Sequence, residues 1–84
     1  MNIKVLGSGC ANCKTLERRT IEALNELKID ATVEKVQDYQ EIAQFGILHT
    51  PGLVIDNKVV VHGGVPTVEA LKDLIRREAA EVHP

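Results

Sequence analysis

The sequence has no tryptophan, one phenylalanine and one tyrosine. A core of stacked aromatics is therefore excluded, and Val, Ile, Leu and Ala must supply the buried surface. There is no basic excess either: 10 Lys and Arg stand against 12 Asp and Glu, for a formal net charge of -2. That leaves no electrostatic footprint for a nucleic-acid backbone. No apolar run approaches the roughly 20 residues that a membrane-spanning helix needs. The opening MNIKVLGSG carries one lysine and a very short apolar run, which does not match a secretory leader. The expectation is a cytoplasmic protein whose thiols are kept reduced. Linkers, repeats and low-complexity stretches are missing too, so the 84 residues read as one small domain over 1–80, with 81–84 as a frayed tail.

What is present is an ordinary globular balance of 44% apolar and 26% charged residues, arranged in periodic segments. NIKVL at 2–6 reads as a strand closed by Gly7-Ser8-Gly9. From Ala11 the pattern turns helical, with Cys13, Leu16, Thr20, Ala23, Leu24 and Leu27 at three- and four-residue steps and Glu17, Arg18, Glu22 and Glu26 largely off that stripe. ATVEKV, led in by Asp30, is a β-branched second strand. Asp38-Tyr39-Gln40-Glu41 resembles a capping box opening a short helix that stops at Gly46. Thr50-Pro51-Gly52 precedes a third strand, LVI, and Asp56-Asn57-Lys58 reads as a hairpin turn into VVVH. After Gly63-Gly64, Pro66-Thr67 introduces a helix with Leu71, Leu74 and Ile75 inward and Lys72, Asp73, Arg76 and Arg77 toward water. The order β-α-β-α-β-β-α has helix-joined strands in its first half, which favour parallel pairing, and a tight turn that demands an antiparallel pair. A mixed four-stranded sheet flanked by helices satisfies both.

The only two cysteines, Cys10 and Cys13, sit in GSGCANCKTLERR where the strand gives way to the helix. As a structural staple they would close a very small loop, worth only roughly 2 kcal/mol in the chain-entropy model, in a compartment that disfavours such bridges. As a metal site they lack partners: a closed zinc site wants four ligands, and His49, His62 and His83 do not fall at zinc-finger spacing. Transient Cu(I) or Zn(II) carriage remains open, although copper-chaperone domains follow the order β-α-β-β-α-β. As a redox pair each part has a physical reason. A thiol at a helix start meets unpaired N–H groups and the positive end of the dipole, which favour the attacking thiolate. Cys10 precedes the stripe and should be the exposed nucleophile. Cys13, in the first turn on the apolar stripe, should be more buried and placed to resolve a mixed disulfide. Lys14 adds a neighbouring positive charge, and Ala11 and Asn12 set the helix-start geometry.

A βαβ unit with CANC at the head of its helix, then GILHTPGLVI, a hairpin and a closing helix, resembles the thioredoxin superfamily across essentially the whole chain. More narrowly it resembles the small archaeal and bacterial redox-active disulfide proteins, which begin directly at the βα unit and carry GxxCxxC followed by a Pro-Gly segment. The resemblance implies an α/β minimal thioredoxin-like fold. It also implies a cis peptide at Pro51 beside the dithiol, with Thr50 and Pro51 shaping a substrate groove and the proline discouraging metal. The implied activity is exchange of protein disulfides by Cys10 and Cys13 with no bound cofactor and no metal, in a monomer. Recycling would come from a flavoprotein-type reductase or a low-molecular-weight thiol. Two departures stand out. The usual Trp-Cys-Gly-Pro-Cys is here Gly9-Cys10-Ala11-Asn12-Cys13, and the buried acid that precedes the first cysteine by six residues is here Lys4. Gly63-Gly64 resembles the glutathione-holding glycines of glutaredoxins, so a glutathione-dependent protein is the competing redox reading.

Overall fold

The computed structural model describes residues 1–47 and 49–80; the expected tail 81–84, with His83, lies outside them. The elements are β1 (Asn2–Leu6), α1 (Ala11–Leu27), β2 (Thr32–Val36), α2 (Tyr39–Gln44), β3 (Gly52–Ile55), β4 (Lys58–His62) and α3 (Val68–Ala80). They form one sheet in the order β2-β1-β3-β4. β1 and β2, joined through α1, are parallel, whereas β3 is antiparallel to both β1 and β4. The chain therefore has the mixed four-stranded sheet flanked by helices expected from its pattern, in the α/β, minimal thioredoxin-like architecture that the resemblance implies.

Side-chain alternation along β1 divides the interior in two. Ile3 and Val5 pack with Leu16, Ala23 and Leu24 of α1 and Leu71 and Ile75 of α3. Leu6 joins Val54, Val36 and Ile42 on the α2 side, with Phe45, Ile47 and Val59 partly buried against them. β3 lies between the two clusters and is buried along its whole length, so it reads as a continuous apolar run. Burying each of the larger aliphatics contributes about 1.5–3 kcal/mol. Thr20 is the one buried polar side chain among the described residues; its hydroxyl donates to the Leu16 carbonyl at 2.7 Å, so its burial leaves no polar group unpaired.

The caps explain where the helices begin and stop. Asp38 accepts the Gln40 N–H at 2.8 Å and Thr67 accepts the Ala70 N–H at 3.2 Å, each satisfying a donor at a helix start. α1 runs without Gly or Pro from Ala11 to Leu27, then closes on Lys28 in the left-handed conformation, φ 56°, with the Ile29 N–H donating to the Leu24 carbonyl at 3.1 Å. Asp56 and Asn57 both have positive φ, 48° and 70°, the backbone of a two-residue primed hairpin turn. Lys72 departs from its expected place in water. Its Nζ lies 3.0 Å from Glu26 and 3.4 Å from Glu69, tying α3 to α1. The bond to Glu26, with Glu69 adding to it against a partial desolvation, holds its ammonium above the ordinary lysine pKa.

Candidate functional site

Cys10 and Cys13 are joined in a disulfide, with Cα atoms 5.1 Å apart. Cys10 is the N-cap of α1, and its Sγ accepts the backbone N–H of Cys13 at 3.2 Å. The backbone carbonyl of Cys10 accepts the Lys14 N–H at 3.0 Å. A capping position normally filled by Ser, Thr, Asp or Asn is thus filled by sulfur, which stands directly on the unpaired N–H groups of the first turn. Cys10 is exposed and Cys13 is 5% exposed, so the two sulfurs of one bond occupy different environments. Ala11, Asn12 and Lys14 are exposed on the same turn.

Gly7, at the end of β1, lets this arrangement close. A Cβ there would collide with Cys13 Sγ, come within 3.2 Å of the Cys13 Cβ, and lie 3.9 Å from the Cα of Pro51. The end of the central strand, the inner cysteine and the proline loop therefore meet at a point that no side chain can share. The sequence showed Gly7 only as punctuation after a strand; a close approach between elements leaves no other mark.

The Thr50–Pro51 peptide is cis. Pro51 is buried and Thr50 exposed. The Pro51 carbonyl accepts the Gly63 N–H at 2.8 Å, extending the β3–β4 ladder, while no backbone partner reaches Thr50 among the described residues. Beside it runs a groove of about 360 Å³ lined by Phe45, Gly46, Ile47, His49, Val59 and His62. Gly63 is held in its place by sterics, with φ 82° and a would-be Cβ only 3.0 Å from the His49 Cβ.

Two further features were not singled out by sequence, and a third, Lys4, was noted there without its placement. The Tyr39 hydroxyl lies 3.2 Å from the Ser8 hydroxyl, so an aromatic ring, 70% exposed, overlooks the loop that enters the dithiol. A small cavity of about 40 Å³ reaches Cys13 and is lined also by Val5, Gly7, Gly9, Lys14, Glu17, Lys35 and Gln37. Lys4, standing at the position of the usual acid, points instead to the α2 side, with its Nζ 5.5 Å from the Phe45 ring centroid. The signal for Glu17 was present as an acid four residues beyond the second cysteine, one helical turn away. Lys35 carried no such signal, because only the β1–β2 register brings it over α1.

Among the described residues no group of three or more His, Cys, Asp or Glu is arranged to hold a metal ion. No helix among them is long and apolar enough to cross a membrane.

Comparison with known proteins agrees with this geometry. The thioredoxin domain family matches residues 1–76. A protein named thioredoxin from Methanothermobacter thermautotrophicus is 39% identical over 75 residues, covering 89% of this chain and 97% of that protein. Another of that name from Methanocaldococcus jannaschii is 36% identical over 74 residues, covering 88% of this chain and 85% of its own length.

Proposed function

The chain belongs to the thioredoxin family and is a thiol–disulfide oxidoreductase, and from that premise we propose that Cys10 is its attacking thiol and Cys13 its resolving thiol. The carrying observation is the asymmetry of the pair: an exposed sulfur capping α1 and a buried one within its first turn. In the reduced protein, Cys10 thiolate is favoured by the Cys13 N–H and by the dipole at the helix start. It attacks one sulfur of a substrate disulfide and forms a mixed disulfide. Cys13 then attacks Cys10 Sγ, restoring the internal bond and releasing the second substrate thiol. The dithiol itself carries the two electrons, so the cycle needs no bound cofactor. Ala11, Asn12 and Lys14 shape the turn that holds the pair.

The substrates are disulfide-bearing protein segments that lie extended across the cis proline and pair with the Thr50 backbone as an added strand. Recycling falls to a flavoprotein-type reductase or a low-molecular-weight thiol in the cytoplasm, with the protein acting as a monomer. The Gly63 N–H is already committed to Pro51, which favours protein disulfides over a glutathione held by the glycine pair.

Thiol trapping tests the assignment. Cys13→Ser protein, reduced and mixed with a disulfide-bonded protein such as insulin, should accumulate a covalent complex through Cys10, and Cys10→Ser should accumulate none. Equal trapping by Cys10→Ser would reverse the two roles.

A further inference from the structure

We propose that Glu17 accepts, through one water, the proton that Cys13 must release to resolve the mixed disulfide, and that Lys35 is a positioning residue for that carboxylate. The inference rests on the assignment of Cys13 as the resolving thiol. A buried thiol is a poor source of thiolate, because burial disfavours the charged form. At 5% exposure, Cys13 needs a route for its proton, and the acid that would usually stand beneath the pair is replaced by Lys4, which lies over Phe45.

The small cavity supplies the route. Its volume of about 40 Å³ accommodates one water, which fills roughly 30 Å³ in the liquid. Glu17 is the only carboxylate among the residues lining it. Cys13 and Glu17 are separated by one helical turn, which sets their Cβ atoms about 5–6 Å apart on one side of α1. That span suits a thiol–water–carboxylate chain. Lys35 Nζ lies 3.9 Å from Glu17 Oε1, and the pairing of Lys35 with Val5 fixes it on the α1 side of the sheet. With side chains 60% and 25% exposed, this ion pair adds little to stability; its effect is to hold a carboxylate at the cavity mouth with lone pairs to spare for a water.

The charged and titratable groups facing Cys13 are Lys14 and Glu17 from α1, Lys35 from β2, and Cys10. The lining residues from β1 and its end, Val5 and Gly7, do not ionise. Neither ammonium can accept a proton, so the role falls to Glu17. As the Cys13 S–H proton passes to the water and a water proton to Glu17, the sulfur attacks Cys10 Sγ. The Cys10–Cys13 bond forms, the bond from Cys10 to the substrate sulfur breaks, and the electron pair leaves on that sulfur. The leaving thiolate takes up a proton from solvent and Glu17 returns its own to water. The protein dithiol is oxidised and the substrate disulfide reduced.

Dithiobis(nitrobenzoate) separates the two steps. When reduced protein meets one equivalent, the first thionitrobenzoate reports attack by Cys10 and the second reports resolution by Cys13. Glu17→Gln should leave the first phase unchanged and slow the second about a hundredfold at pH 6, the low end of general-base contributions. Its second-phase rate should fall more steeply with decreasing pH than the wild-type rate does, because no carboxylate remains to take the proton. Glu17→Asp should recover part of that rate, and Lys35→Met should slow the second phase by a smaller factor. An unchanged second phase with an unchanged pH profile, or equal slowing of both phases, overturns the proposal. Release of two equivalents by Cys13→Ser would instead overturn the cysteine assignment on which it rests.

Discussion

The two ends of α1 meet the same difficulty, a chain that must turn sharply, and resolve it in opposite ways. At the dithiol end the tight positions are glycines. Gly7 stands against Cys13 Sγ, and Gly63 carries φ 82° against His49. At the far end they carry side chains: Lys28 closes the helix at φ 56°, and Asp56 and Asn57 turn the hairpin at 48° and 70°. The far end accepts an unfavourable backbone region with side chains that are exposed, Asp56 among them accepting the Asn2 N–H at 2.8 Å. At Gly7 the dithiol end cannot, because the space a Cβ would fill is occupied by Cys13 Sγ. Gly7 is a requirement of close approach, whereas Gly9 and Gly63, at φ 84° and 82°, also use the dihedral freedom of glycine.

Substitutions at the two ends should separate these reasons. Gly7→Ala forces a methyl into Cys13 Sγ and should have the largest effect, destabilising the oxidised protein by about 2–3 kcal/mol, as overpacking does. Gly64→Ala, with nothing within 4 Å of the added Cβ, should stay within about 0.5 kcal/mol. Urea unfolding of the two variants checks the contrast, and equal costs would break it. At the far end the sign should invert. Lys28→Gly removes a left-handed side chain and should stabilise by about 0.5–1 kcal/mol. Asn57→Gly should stabilise by roughly a few tenths of a kcal/mol, because asparagine already tolerates that region. A loss of stability in either would mean that these side chains contribute contacts outweighing the strain of the turn.

The contrast also explains what could be read before the fold was known. Periodicity and caps depend on residues near one another in the chain, so the stripe from Cys13 to Leu24, the Asp38 and Thr67 caps and the order of strands and helices were all visible. What depends on two elements meeting was not. Gly7 touching Cys13 requires β1 and α1 to be packed. Lys35 facing Glu17 requires the parallel register of β2. Lys72 looked like a water-facing residue on its own helix, yet Glu26 of α1 draws it into a partly buried bond. At the candidate site the CxxC motif was apparent, whereas the cavity beneath its inner cysteine is assembled from three segments of chain.

Cys10 as the N-cap of α1 has a consequence of its own. The same sulfur is a hydrogen-bond acceptor for the helix and the atom whose oxidation state changes, so folding and electron transfer are arms of one thermodynamic cycle. Whatever makes the cap stronger as a thiolate than as a disulfide stabilises the reduced fold, and by linkage makes the couple more oxidising. The strength of the first helical turn is thereby a setting on the protein's redox scale, adjustable without altering either cysteine.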